Sequence, residues 1–136
     1  MITTAQYKLY EVLYVSTLAP DAPLSVIAAI ARKARPANKQ RNITGLLIFD
    51  GMRFSQLLEG QQKEVLALTE RIRQDPRHGN FEVLHHGQLA QRRFRSFGTG
   101  YTMLDDDDVL GRLEQLDGQA AIDAFMALQA SVDLDC

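Results

Sequence analysis

The sequence predicts an α+β fold of the ferredoxin-like, split β-α-β kind: β-α-β-β-α-β-β, followed by two short C-terminal helices. Three observations carry that order. Asp50-Gly51 sits between two apolar runs and favours a tight type I′ turn, so Asn42–Phe49 and Met52–Leu58 form an antiparallel hairpin. Apolar residues recur at helical spacing before and after the hairpin. Runs rich in β-branched and aromatic residues lie outside those helices, at 9–16 and 81–88.

Taken in order, Met1–Lys8 is a loose lead-in and Leu9–Ser16 the first strand, with Tyr10 and Tyr14 on one face. Pro20, Asp21 and Pro23 make a loop. The first helix runs from about Leu24 to Arg35 on a stripe of Val26, Ile27, Ile30 and Ala34. Pro36 is expected to end it, leaving Asn38 just beyond, about two turns on from Ile30. The hairpin follows; its first strand is apolar on both faces, as a covered central strand is. A second helix spans about Gln61 to Asp75 with the stripe Val65, Leu68 and Ile72, and Pro76 closes it. Phe81–Gln88 is a strand and Arg92-Arg93-Phe94-Arg95 a basic turn. Phe97–Met103 is a strand weakened by Gly98 and Gly100. Asp105–Asp108 is an acidic run, and helices follow near Val109–Leu116 and Gln119–Ser131.

The bulk properties narrow the function classes. At 136 residues and a net charge of −2, the expectation is one domain without the basic footprint of a nucleic-acid binder. No apolar run reaches membrane-span length, and no signal-peptide core is visible. The single cysteine, Cys136, cannot pair within the chain, which suits a reducing cytoplasm.

The usual catalytic and metal patterns are thin. His85 and His86 are adjacent in a strand and point to opposite faces, so they cannot share a metal. Asp105–Asp108 lacks the glycine and terminal glutamate of a calcium loop. No glycine-rich phosphate loop is present, and Gly45 and Gly60 serve packing and a turn.

What stands out is polar. Gln56 alternates with Phe54 and Leu58 and shares their face. A primary amide in a core, without partners, costs roughly 1–3 kcal/mol, so either the protein or a ligand satisfies it. In the ferredoxin-like order the first and third strands are central neighbours, which brings Tyr14 to Gln56 beneath a two-helix layer, with Asn38 at the end of one helix. Each residue also has an ordinary role: a strand tyrosine with its hydroxyl at the rim, an asparagine capping a helix or a turn.

Together the motifs resemble the BLUF family, blue-light sensors that use flavin. The resemblance covers roughly Leu9 to Met103. It rests on Tyr14-Val15-Ser16, Asn38, Asn42-Ile43-Thr44-Gly45-Leu46-Leu47, Phe54-Ser55-Gln56-Leu57-Leu58-Glu59-Gly60, Asp75-Pro76-Arg77-His78 and Arg92-Arg93-Phe94. It implies a flavin photosensor unit over 1–104, with 105–136 a helical extension of the same unit. It further implies noncovalent FAD between the two helices, with Ile30 and Ile72 sandwiching the ring, Asn38 on its polar edge, and Arg71, Asp75 and His78 at the rim. Tyr14 and Gln56 are the photoactive pair: Tyr14 supplies an electron and a proton, and Gln56 rearranges its hydrogen bonds to give a red-shifted state. No metal and no enzymatic activity are implied.

The chain departs from the family at Phe97 and Thr99, where a tryptophan and a methionine are common. That bears on the signalling-state lifetime rather than on binding. A small acylphosphatase-like hydrolase on the same fold would need an anion loop that Thr17–Pro23 does not offer, having no arginine and no glycine-rich run. A flavin-free interaction module is the other alternative. The output is expected to pass to a separate downstream protein, with a homo-oligomer formed through the C-terminal helices or a sheet face. The stripe Leu110, Leu113, Leu116, Ile122, Phe125, Met126 and Leu128 is placed to cover the sheet face opposite the flavin helices.

Overall fold

The computed structural model describes residues 9–23, 25–101, 109–129 and 133–135. The elements are β1 (Leu9–Leu18), α1 (Ser25–Gln40), β2 (Thr44–Phe49), β3 (Arg53–Gln61), α2 (Gln62–Arg73), β4 (His78–Leu89), β5 (Phe97–Tyr101), α3 (Val109–Leu113), α4 (Gly118–Leu128) and β6 (Asp133–Asp135). One sheet holds the strands in the order β4-β1-β3-β2-β5-β6. β1 is antiparallel to β3 and β4, β2 is antiparallel to β3, and β5 adds to β2 in parallel. The β4-β1-β3-β2 core carries the predicted ferredoxin-like order, with the first and third strands adjacent at its centre.

Strand alternation splits the sheet into two faces, and each builds its own core. On one, Tyr10, Val12, Leu47, Phe49, Phe54 and Leu58 pack with Ile30 and Ala34 of α1 and Val65, Leu68 and Ile72 of α2. On the other, Leu13, Val15, Leu46, Ile48 and Leu57 pack against Leu110, Leu113, Ala121, Ile122, Phe125 and Leu128. The C-terminal stripe therefore covers the sheet face opposite α1 and α2. All six residues of β2 are buried, which explains its apolar character on both faces.

Several details differ from the sequence reading. Pro36 lies inside α1, which runs on to Gln40, so Asn38 sits in the last helical turn rather than beyond the helix. Proline removes one backbone donor and crowds the preceding turn, yet Ile30, Ala34 and Asn38 are held against the sheet, and tertiary packing outweighs that local cost. The helix exits at Asn42, whose φ of 58° is the left-handed conformation that asparagine tolerates. The hairpin turn is not type I′, because only Gly51 has positive φ. Asp50 instead accepts hydrogen bonds at Oδ1 from the backbone N–H groups of Met52 and Arg53, at 2.9 and 2.7 Å. α2 ends at Arg73, leaving Asp75 in the turn that follows. β6, which pairs antiparallel with β5, was not expected. The lead-in 1–8, the helix start at Leu24, the strand end at Met103, the acidic run Asp105–Asp108, the helix end at Ser131 and Cys136 lie outside the described residues, as do the side chains of Val26 and Ile27.

The connection from β4 to β5 is tied down by buried carboxylates. Glu59 is fully buried; its carboxylate accepts from the Arg93 and Phe94 backbone N–H groups and from Thr44 Oγ1, the last at 2.8 Å. Arg92 donates to Thr44 Oγ1 at 2.7 Å and to the Asn42 carbonyl at 2.8 Å. Glu11, paired across the sheet with Glu59, takes the Arg93 guanidinium and His85 Nε2. Buried charge is tolerable only when partnered in this way. The basic turn is thus a clamp that delivers the chain to β5.

Candidate functional site

Between α1, α2 and the sheet lies a cavity of about 320 Å³, at the lower end of small-ligand pockets. Its floor is set by strand register. Tyr14 pairs with Gln56 across β1 and β3, and Gln56 with Leu47 across β3 and β2, so the three stand in one row. The Tyr14 hydroxyl donates to Gln56 Oε1 at 2.5 Å, with both residues buried. On the other side of the sheet Ser55 Oγ donates to the Tyr14 carbonyl at 3.1 Å and pins the same register.

The walls are aliphatic, with Ile30, Ala34 and Ala37 from α1 facing Leu68 and Ile72 from α2. Asn38 adds an amide to this apolar slot, 2% exposed, and its Nδ2 has no hydrogen-bond partner among the described residues. Ser16 Oγ and His78 Nδ1, also on the lining, are buried without partners too. Buried donors and acceptors in native proteins are nearly always paired, so three unpaired polar atoms around one cavity mark a place where a ligand's polar groups belong.

Charged side chains are also part of this cavity. Lys33, Arg41, Arg71 and Arg77 line it, and Arg41 reaches Glu64 of α2 at 3.9 Å. Arg77 grips Asp75, Nε to Oδ1 at 3.0 Å and Nη2 to Oδ2 at 2.5 Å, and this hydrogen bonding holds the Asp75 carboxyl below the usual carboxylate range. Burial, more than anything, pushes His78 below its ordinary value; the Ile72 carbonyl and Asp75 oppose the shift without hydrogen-bonding Nδ1. Burial also drives the Tyr14 phenol far above the usual tyrosine range, and the Asp75 charge adds to it. Tyr14 is therefore a neutral phenol with its proton directed at Gln56.

Every site residue singled out from sequence lines this one cavity: Tyr14, Ile30, Asn38, Gln56, Arg71, Ile72, Asp75 and His78. Phe97 and Thr99 are buried in β5 beside Gly45 and Leu47 and are not among its lining residues. His85 and His86 point to opposite faces as expected, the first to Glu11 and the second to the Tyr10 hydroxyl. No cluster able to hold a metal occurs among the described residues. Sequence reasoning missed Ser16, Lys33, Arg41 and Arg77 on the lining, although Ser16 shares strand parity with Tyr14. It also missed Phe81, stacked on Tyr14.

Comparison with known proteins gives the family. A sequence profile described as "Sensors of blue-light using FAD", BLUF, matches residues 9–100. The blue light- and temperature-regulated antirepressor BluF of Escherichia coli (strain K12) is 36% identical over 105 residues, which is 75% of this chain and 26% of that protein. Photoactivated adenylate cyclase subunit beta of Euglena gracilis is 41% identical over 70 residues, 52% of this chain and 8% of that protein. The chain thus spans only a minor part of either relative's length. Among solved structures, the dark state of BlrB, a BLUF protein, superposes with a TM-score of 0.73 at 25% identity, covering 93% of this chain and 98% of that one. From the row of strands that sets Tyr14 on Gln56 to the profile spanning residues 9–100, the observations agree that this chain belongs to the BLUF family.

Proposed function

We propose that the cavity binds FAD noncovalently and that the protein is a blue-light photoreceptor rather than an enzyme, passing its signal to a separate protein. The observation that carries this reading is the unpaired Asn38 Nδ2, buried in the same apolar slot as the Tyr14–Gln56 bond. The ring of a flavin is flat and apolar on its faces and carries carbonyls and an N–H on one edge. Ile30 and Ile72 would hold the faces, and the Asn38 amide would meet the edge with donor and acceptor together. Arg71, Asp75 and His78 line the same cavity and would meet the flavin's polar parts, and the cations Lys33, Arg41 and Arg77 on that lining favour a phosphate-bearing flavin over an uncharged one.

When bound, the flavin supplies a blue-absorbing chromophore and, once excited, an electron acceptor. Tyr14 is the donor: a buried neutral phenol whose proton already points at Gln56 Oε1. Were Tyr14 to give up an electron to the excited flavin, its hydroxyl would become strongly acidic and its proton would move along that hydrogen bond to Gln56 Oε1. Gln56 answers by exchanging its bonds, because an amide presents a donor at one end and an acceptor at the other. Return of the electron and proton to Tyr14 would leave the rearranged Gln56 as the lasting change, and its altered hydrogen bonding would shift the absorption to the red.

The test is the absorption spectrum of the purified protein before and after blue light, with the cofactor identified after acid denaturation. A yellow protein that shifts to the red and releases FAD supports the reading. A colourless protein expressed with ample flavin, or flavin that stays on the denatured chain, overturns it.

A further inference from the structure

Phe81 stands outside every role assigned so far. It lies near the start of β4, half-buried, with its ring stacked on Tyr14 at 4.6 Å between centroids and 25° between planes. The Arg73 guanidinium lies over the same Phe81 ring, 5.3 Å from its centroid. The backbone around Tyr14 makes this contact consequential. The β1–β4 register slips between Leu13, opposite His85, and Tyr14, opposite Val83. The bulge is on β4: β1 keeps its regular ladder with β3 at Tyr14, while β4 is shifted against it beside the Phe81 contact.

We propose that Phe81 positions Tyr14 for the light reaction. Its flat face, steadied by Arg73, keeps the phenol ring in the orientation that aims the hydroxyl at Gln56. Offset stacking is what two aromatic rings at this distance prefer, and it resists rotation of either ring. Phenylalanine suits the position chemically as well. It covers Tyr14 from solvent, yet it is far too poor a donor to compete for the electron and has no proton to offer Gln56. This inference rests on the photoreceptor reading above.

The experiment compares wild type, Phe81→Leu and Arg73→Gln, each loaded with FAD. Leucine keeps apolar bulk at a half-exposed position and removes the flat face; Arg73→Gln changes only an exposed side chain. Flavin affinity and dark spectrum should match wild type in both. The yield of red-shifted protein per absorbed photon should fall about fivefold in Phe81→Leu and about twofold in Arg73→Gln, the factors that a lost aromatic pair and a lost exposed cation–π contact correspond to. In flavin-free protein, the NMR signals of the Tyr14 ring, displaced by the stacked Phe81 ring in wild type, should move toward free-tyrosine positions in Phe81→Leu. If Phe81 only packs the sheet edge, stability and flavin occupancy fall while the yield per bound flavin holds, and the inference is overturned. A wild type that binds flavin and does not shift removes the photoreceptor reading itself, a result distinct from a shifting wild type matched by Phe81→Leu.

Discussion

Asn38 Nδ2 has no partner inside the protein, and that determines what its removal does. Asn38→Ala takes away an unsatisfied buried donor, so the flavin-free protein should lose no stability. Flavin affinity should drop about tenfold, the equivalent of one edge hydrogen-bonding contact. Titration and thermal melts of the two proteins read both effects; equal affinity would reduce Asn38 to a helix-end residue. Tyr14→Phe and Gln56→Leu probe the photochemistry from the two ends of one hydrogen bond. Both should stay yellow and lose the persistent red shift, with a folding cost of about 1 kcal/mol for the lost bond. A full wild-type shift in either variant rules out the Tyr14–Gln56 mechanism. His78 contributes to acid stability. Burial holds its imidazole below the ordinary 6.5, so the unfolded chain takes up a proton there that the folded chain refuses. Stability is full above that pH and is lost as pH falls. Asp75, held below 3.8 by Arg77, loses its contribution in the same direction at lower pH. Denaturant titrations of flavin-free His78→Phe should show the upper part of that acid loss flattened and the lower part retained.

At the scale of elements, β2 leaves no room for a side chain at Gly45. Gly45 has a φ of 153°, and a Cβ there would lie 2.0 Å from the Leu57 carbonyl oxygen. Neither backbone can yield without breaking the β2–β3 ladder, so Gly45→Ala should cost about 3 kcal/mol, the upper end of overpacking costs. Gly51 offers the contrast. Its φ is 98° but nothing stands within 4 Å of a Cβ, so Gly51→Ala should cost about 1 kcal/mol from backbone strain alone. Denaturant midpoints of the pair order these costs; equal midpoints would mean that β2 moves aside. α1 shows the reverse relation between local and tertiary terms. The proline rule that would stop it at Arg35 is a statement about an isolated helix, and here the sheet beneath holds the helix through to Gln40.

At the scale of the molecule, two layers share one sheet. We propose that 105–136 belongs to the same folding unit as 1–104, because α3 and α4 cover Leu13, Val15, Leu46, Ile48 and Leu57. A chain ending at residue 104 should expose that face and aggregate, whereas Phe125→Ala in the whole chain should cost about 3–5 kcal/mol and leave the flavin spectrum unchanged. Light scattering and denaturation curves check both; a truncated chain that stays monomeric and stable would separate the tail from the unit. No helix among the described residues is long and apolar enough to cross a membrane.

Sequence alone determined the order of elements from β1 to α4, the amide placed among apolar neighbours at Gln56, and the grouping of Tyr14, Asn38 and Gln56, because these follow from periodicity, turn residues and a motif. Only the tertiary structure decided how helix α1 passes Pro36, how Arg92 and Arg93 return to Thr44 and Glu11, and which aromatic ring meets Tyr14. Those outcomes depend on register, on a bulge that shifts β4 against β1, and on contacts between residues far apart in the chain: Arg93 and Glu11 lie 82 positions apart. Local pattern carries no information about which distant partner a buried charge or ring will find. The unpaired Asn38 nitrogen is of the same kind, since whether a donor is satisfied is known only when everything around it is in place.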